Sequence, residues 1–268
     1  MPDLAELIKH GWKQIAGAMI LSLLVVGVIT FLTPPQYLSV ATAVPASSYA
    51  ADRSAIFNEN IQALYSTLGT ADDLDRIVGT AELDTVYLAV ADEFNLFDHY
   101  KIRQSNSSRL KAAKELKANT SVTKSGYGEL KVKAWDTDKS LAPQLANAIL
   151  SKLEAIHRDL QSAGNEATLN SLIKQKDHLQ LTIDSSSGSP ERNPEFHERI
   201  KQYEKLIGEY QVMISSKPPS LIVVEKARMA ESPDRPKRMY IMIATAVLSF
   251  LFSLLLALLM YKRKNVRP

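Results

Sequence analysis

The chain has 268 residues, with 32 basic and 29 acidic side chains and a formal net charge of +3. So small an excess argues against a dedicated nucleic-acid-binding protein, in which a large and clustered basic surplus is expected. The absence of cysteine excludes a disulfide scaffold, a cysteine nucleophile, an iron–sulfur cluster and a thiolate zinc site. The apolar residues are concentrated at the two ends of the chain, and the residues between them are polar.

Two uncharged apolar runs predict transmembrane helices. The first, residues 15–32, has 18 residues and spans about 27 Å as a helix. The second, residues 239–260, has 22 residues and spans about 33 Å. A cleaved signal peptide is the alternative for the first run. That run is longer than the apolar core of a signal peptide and leads into Thr33-Pro34-Pro35 instead of a cleavage site.

The charges that flank the two runs predict the orientation of the chain. Lys9 and Lys13 precede the first run, and residues 261–268 carry four basic side chains. Basic residues in short flanks stay in the cytoplasm. We therefore expect residues 1–14 and 261–268 to be cytoplasmic, and the large domain to lie in the periplasm of a bacterium. Three basic residues on the opposite side of the second run weaken this asymmetry: Arg235, Lys237 and Arg238.

Small residues recur at intervals of four in the second run. These are Thr245, Ser249, Ser253 and Ala257. Small side chains on one face let two membrane helices approach closely. The row is therefore predicted to pack against the first span or a neighbouring subunit, although Ser, Thr and Ala are common in spans by chance.

Between the spans, the pattern predicts a mixed base domain. A strand over residues 37–44 comes first, and hydrophobic periodicity then predicts several short helices. Those helices cover residues 57–68, a segment capped by Thr70, and residues 84–100 and 108–117. A β-hairpin follows, with strands at 119–124 and 129–135 joined by a glycine-containing turn.

A helical arm is predicted over residues 139–215. Apolar residues recur at helical spacing to residue 183, with an interruption at Gly164-Asn165, and again from Phe196 to Ile214. A cluster of turn formers separates the two helices. The first helix is longer than its partner, so part of its apolar stripe calls for cover from neighbouring subunits. The base domain is thus predicted in two parts, residues 33–138 and 216–238, with the arm inserted between them.

The residues that carry enzyme chemistry are missing from the sequence. It has no phosphate-binding loop, no nucleophile elbow and no zinc-type pair of histidines. His178 and His197 could meet across the arm, but exposed helix positions explain them more simply. We therefore predict no catalytic, cofactor-binding or metal-binding residues, and expect that the protein is not an enzyme.

Three stretches of the chain resemble the polysaccharide co-polymerases, the Wzz-type chain-length determinant proteins. These are the strand YLSVATAV, residues 116–153 with their strand–turn–strand and Ala-Asn-Ala helix, and residues 220–242. The last resembles the family's strand and proline-rich segment before the second span, with Pro233 and Pro236 following Ala227. Prolines restrict the backbone, so they would set the angle at which the chain enters the membrane.

The resemblance implies an α+β membrane protein in which two transmembrane helices flank a periplasmic base domain with an inserted helical hairpin. It also implies a ring-shaped homo-oligomer of the bacterial inner membrane. Such proteins act with a Wzy-type polymerase and set the modal length of O-antigen or a related lipid-linked glycan, without catalysis of their own. For this chain O-antigen of lipopolysaccharide is the expected glycan. The displaced proline after Asp138, now Pro143, leaves the pathway open. The alternatives are a two-span sensor or scaffold and a membrane-anchored envelope enzyme.

Overall fold

The structure is a computed structural model that describes residues 4–46, 71–105, 107–185 and 194–265. The helix predicted over 57–68, its neighbour's cap at Thr70 and most of the predicted turn of the arm lie outside the described residues. The chain divides into two compact units. The first, called the span unit, comprises residues 1–38, 135–142 and 229–268. The second, called the arm unit, comprises residues 39–134 and 143–228.

The described residues form both helices and strands. In order they are α1 (Leu4–Leu32), β1 (Tyr37–Pro45), α2 (Ala71–Ala81), α3 (Asp84–Glu93), α4 (Leu96–His99), α5 (Ser108–Ala118), β2 (Thr120–Lys124), β3 (Leu130–Asp136), α6 (Leu141–Ser185), α7 (Pro194–Ser216), β4 (Leu221–Glu225) and α8 (Arg238–Asn265). This mixture, with an apolar helix near each end, confirms the predicted α+β class with two membrane-type helices.

The four strands form one sheet in the order β2-β3-β1-β4. β2 and β3 make the predicted antiparallel hairpin, in which Val122 faces Val132. β4 lies antiparallel to β1, with Val44 opposite Ile222 and a register shift between Thr42 and Ala43. The strand that follows the arm therefore returns to the strand that follows the first apolar helix.

The core of the arm unit lies between the sheet and the helices packed against it. Its fully buried side chains come from both, and they include Leu74, Val86, Val90, Leu96, Leu116, Leu130, Val132, Leu145, Ile149 and Leu153. In β3 the buried residues alternate with Lys131 and Lys133, as expected for a strand with one buried face. The first part of α6 thus belongs to the core.

The helix predicted over residues 84–100 is divided in two. α3 ends at Glu93, and Asn95 has a left-handed backbone with φ of 50° before α4 begins. Asparagine tolerates this conformation better than most residues, and its Nδ2 donates a 2.6 Å hydrogen bond to Asp98 Oδ2. The prediction of one continuous helix was wrong because neither glycine nor proline marks the break.

The arm consists of α6 and α7, of 45 and 23 residues. α6 runs through Gly164 without the predicted interruption, and a Cβ added there would meet nothing within 4 Å. The apolar stripe of α6 changes environment along its length. Leu145 and Leu153 are fully buried, whereas Leu160 and Leu181 are 61% and 68% exposed. The distal part of the arm therefore exposes apolar side chains to solvent.

The two apolar helices pack antiparallel in the span unit. Ile15, near the start of the first apolar run, contacts Ala257 near the end of the second, and a Cβ at Gly27 would lie 3.9 Å from Met242. The stretches long and apolar enough to cross a membrane are Ile15–Leu32 and Arg238–Leu259. Their exposed sides are rich in Leu, Ile, Val and Phe, which fits a protein with two membrane spans.

One buried tyrosine makes the stability of the arm unit depend on pH. Burial raises the pKa of the Tyr87 phenol to about 12 from an ordinary value of 10.0, and the carboxylates of Glu82 and Asp84 add to the shift. Between these values the unfolded state binds fewer protons than the folded state, so the free energy of unfolding falls as pH rises from about 10 to about 12. We expect the Tyr87→Phe protein to lose less stability over that range than the wild type. Thermal unfolding, followed by circular dichroism, measures the two losses. Equal losses in both proteins would contradict this.

Candidate functional site

The chain between β4 and α8, residues 226–237, is here called the pre-span segment. It contains neither helix nor regular strand and holds three of the residues singled out from the sequence: Ala227, Pro233 and Pro236. Proline lacks a backbone donor and has a fixed φ, which explains why the segment does not extend the sheet or begin the helix earlier. Its hydrogen bonds to other parts of the chain therefore determine its path.

The first part of the pre-span segment is held by one amide side chain within the arm unit. Asn147, on α6, accepts a 2.9 Å hydrogen bond from the backbone N–H of Ala227 through Oδ1. Its Nδ2 donates at 3.3 Å to the Ala227 carbonyl. Ala227 itself is buried. Both backbone groups of a buried residue outside regular structure are thus satisfied by a single side chain, as buried polar groups require.

The last part of the segment is held within the span unit by Gln36. The backbone N–H of Gln36 donates to the Arg235 carbonyl at 2.9 Å, and the Gln36 carbonyl accepts from the N–H of Asp234 at 2.9 Å. Trp135, at the end of β3, donates from Nε1 to Asp234 Oδ2 at 2.8 Å. The Arg235 guanidinium lies over the Trp135 ring, 3.9 Å from its centre. These contacts fix the chain just before it enters α8.

An open cleft of about 350 Å³ lies beside the contacts that fix the pre-span segment. It is lined by Pro35 and residues 233–240. The structure therefore brings Pro233 and Pro236 to one cleft, where Pro233 is exposed and Pro236 is half-buried. Ala227 does not line it and belongs to the arm unit.

The lining of this cleft is charged. Its described residues carry three cationic side chains, from Arg235, Lys237 and Arg238, and one carboxylate, from Asp234.

The small residues of the second apolar helix are buried or half-buried, and Ala257 packs on Ile15 of α1. Ser253 and Ala257 are buried, and Thr245 and Ser249 are half-buried. The hydroxyls bond to carbonyls of their own helix: Ser253 Oγ donates to Ser249 O at 2.7 Å, and Thr245 Oγ1 donates to Ile241 O at 2.8 Å. We therefore expect these residues to contribute to helix pairing by close packing, which small side chains allow.

A second concave surface lies between the two helices of the arm, with a volume of about 760 Å³. Its lining carries Lys174, His178 and Arg199, and none of the described lining residues is acidic. Tyr203 donates from its hydroxyl to Gln175 Oε1 at 3.1 Å across this groove. Such a surface presents hydrogen-bond donors and positive charge. Among the described residues, no group of three or more His, Cys, Asp or Glu side chains could hold a metal ion.

Sequence reasoning did not find the residues that hold the pre-span segment. Asn147 and Ala227 are 80 positions apart, and Trp135 and Asp234 are 99 positions apart. Periodicity reports which face of an element is buried, but not which distant backbone a polar side chain reaches. The available signals were weak: Asn147 is a polar residue on the buried side of an amphipathic helix, and Trp135 ends a strand with one apolar face.

Loss of the Asn147 side chain is expected to destabilise the arm unit. Asn147→Ala leaves the buried N–H and carbonyl of Ala227 without their partner, which costs about 1–3 kcal/mol of the free energy of unfolding. Denaturant unfolding of the full chain in a mild detergent measures the change. Ser151→Ala is the matched control, because Ser151 is exposed one turn further along α6. Equal stability of the two variants would show that Asn147 does not hold the pre-span segment.

Comparison with solved structures finds matches over most of the chain. One is described as a full-length bacterial polysaccharide co-polymerase, with 13% identity, a TM-score of 0.43, and coverage of 100% of this chain and 99% of the other. Another is a fragment of WzzB, a polysaccharide co-polymerase from Salmonella Typhimurium, with 12% identity, a TM-score of 0.42, and coverage of 75% and 100%. No protein-family model and no curated protein matches the sequence. Both structures carry the name of the family whose motifs the sequence resembles.

Proposed function

We propose that this protein sets the modal chain length of a lipid-linked surface polysaccharide, with O-antigen of lipopolysaccharide as the foremost candidate. It acts as a co-polymerase of the bacterial inner membrane, with both termini in the cytoplasm and the arm in the periplasm, beside a Wzy-type polymerase. It forms no glycosidic bonds itself. The observation that carries the proposal is a pair of packed apolar helices joined to an arm whose distal apolar side chains are exposed.

The exposed apolar residues of the arm support an assembly of several copies. Leu160 and Leu181 on α6 and Val212 on α7 are each more than 60% exposed. Large apolar side chains on a long helix are costly to leave in water, and a second copy of the same helix is a partner of matching character. A ring of arms covers these side chains and places several lipid-linked chains beside one polymerase, which is the arrangement that a length regulator needs.

Charge on the exposed stripe is expected to weaken this assembly. Leu160→Glu combined with Leu181→Glu places carboxylates where neighbouring arms would bury apolar surface, so the oligomer should dissociate toward smaller species. Size-exclusion chromatography with light scattering, in a mild detergent, measures the mass. The matched control is Leu83→Glu with Leu110→Glu, two exposed leucines of the arm unit outside the arm helices. A wild-type protein that runs as a monomer would contradict the assembly.

A second candidate function is a membrane-anchored sensor or scaffold, and the groove of the arm favours it. The groove is large enough for a small ligand and is lined by cations, amides and a tyrosine. In that case the ligand binds the arm, and the two spans or a partner protein relay the signal. Saturable binding of a small solute to the purified protein, lost in Arg199→Gln with Lys174→Gln, would favour this function over length control.

A gel of surface polysaccharide from a deletion strain and its parent tests the proposed function. The parent should show a cluster of bands at a preferred length, and the deletion strain should show a short-biased ladder without a preferred length. Expression of the wild-type chain from a plasmid should restore the cluster. An unchanged ladder in the deletion strain would refute the proposal and bring the sensor or scaffold forward.

A further inference from the structure

The pre-span cleft carries positive charge at the boundary between water and lipid. The apolar stretch of α8 begins at Arg238, and that of α1 ends at Leu32, three residues before Pro35. Arg235, Lys237 and Arg238 therefore lie at the level where lipid headgroups meet water. They also lie at the end of α8 opposite the basic tail, where the charge rule for membrane topology predicts few positive residues. The orientation of the chain does not account for them.

We propose that this cleft binds the phosphate-bearing headgroup of an anionic membrane lipid. The shared chemistry is a phosphate diester at the membrane surface, and the source to which the proposal commits is a phospholipid such as phosphatidylglycerol. This goes beyond the proposed control of chain length and does not depend on it. A lipid bound here holds the membrane-facing end of the pre-span segment against the headgroup layer.

The charges of the cleft are available to such a ligand. Among the described residues, Arg235, Lys237 and Arg238 form no ion pair with a carboxylate. Arg235 lies over the Trp135 ring, and Arg238 lies 4.9 Å from the centre of the Phe31 ring. Both contacts orient a guanidinium without neutralising its charge. The described lining has one carboxylate, that of Asp234, which accepts the hydrogen bond from Trp135. Because three cationic side chains line the cleft with it, the cleft has a net positive charge.

The apolar residues of the cleft are suited to contact the acyl chains of a lipid. Met239 and Tyr240 are 75% and 74% exposed at the start of the apolar stretch, beside the prolines of the cleft. Tyrosine is enriched at the headgroup level of membrane proteins, and basic residues next to a span attract anionic lipids. The cationic side chains form a surface for the headgroup, and the apolar side chains form a surface for its first acyl carbons. A soluble anion would contact only the cationic side chains.

Native mass spectrometry of the full-length protein in a mild detergent tests the proposal. The probes are phosphatidylglycerol, phosphatidylcholine of the same acyl chains, and inorganic phosphate as a competitor. We expect the wild type to retain phosphatidylglycerol in preference to phosphatidylcholine. Lys237→Gln with Arg238→Gln should weaken retention of phosphatidylglycerol about tenfold or more, because two cations close to the anionic headgroup are lost. Inorganic phosphate should not displace the lipid.

Two further variants make the test specific. Lys111→Gln with Lys114→Gln removes the same charge from exposed positions of α5 and should leave retention unchanged. Lys237→Arg with Arg238→Lys keeps both cations and should retain the lipid. The basic tail is present in every variant, so the difference between variants reports the cleft. Equal retention of the two lipids, displacement by phosphate, or equal loss in the α5 control would each overturn the proposal.

Discussion

Trp135→Ala is expected to lower the free energy of unfolding of the span unit by about 3–5 kcal/mol, the usual cost of truncating a large buried aromatic side chain. Trp135 is 9% exposed. Its ring supports the Arg235 guanidinium, and its Nε1 donates to Asp234. The substitution therefore removes apolar contact, a hydrogen bond to a carboxylate and a cation–π contact together. Thermal unfolding of the full chain in detergent, followed by circular dichroism, measures the loss.

Two companion variants separate these contributions. Trp135→Phe keeps a ring beneath Arg235 but removes the donor to Asp234, so its expected cost is about 1–3 kcal/mol. Trp12→Ala removes the other tryptophan of the chain, which is 58% exposed, and should change stability by no more than about 0.5 kcal/mol. A Trp135→Ala protein as stable as the Trp12→Ala protein would show that Trp135 does not anchor the pre-span segment.

Enlarging the small residues between the two apolar helices is expected to separate the helices. Ser253 and Ala257 of α8 are buried, and Ala257 packs on Ile15 of α1. Leucine at either position overfills the contact, at about 1–3 kcal/mol each. Because the chain has no cysteine, a pair formed by Gly27→Cys and Met242→Cys reports helix proximity without background. A short bifunctional thiol reagent should cross-link this pair efficiently, and Ser253→Leu with Ala257→Leu should slow the reaction about tenfold or more.

Ala244→Leu is the matched control for this experiment. Ala244 lies on the exposed side of the same helix, so leucine there adds the same volume without entering the helix pair. Cross-linking in this variant should equal that of the parent pair. If the control slows cross-linking as much as the buried substitutions do, added volume in the span is responsible, and the packing of α1 against α8 is not.

Length and periodicity were sufficient to predict the elements that have a regular hydrophobic pattern. Uncharged runs identified both membrane helices, alternation identified the β2–β3 hairpin, and the helical stripe identified α6 and α7 with ends within a few residues of those observed. Glycine at 164 predicted an interruption that does not occur, since one glycine costs a helix only about 1 kcal/mol. Within α6 the other turns supply enough hydrogen bonds and contacts to offset it.

The candidate site was less accessible from the sequence than the fold. The prolines were identified from the resemblance, but the residues that hold them in place were not. Gln36, Trp135 and Asn147 act through contacts between residues far apart in the chain, and such contacts leave no periodic signal. Asn95 ends α3 through its own backbone conformation, which several residue types can adopt. A prediction of these features needs the three-dimensional arrangement of the sheet and helices.

We propose that the protein regulates length without making polymer. The measurement that tests it most directly is the length distribution together with the total amount of surface polysaccharide. It is made in a deletion strain that carries no plasmid, the wild-type chain, or the Leu160→Glu and Leu181→Glu variant. We expect total polymer to stay nearly constant, while the preferred length appears only with the wild-type chain. Total polymer that falls in parallel with length would contradict the claim, because it would assign polymerisation itself to this protein.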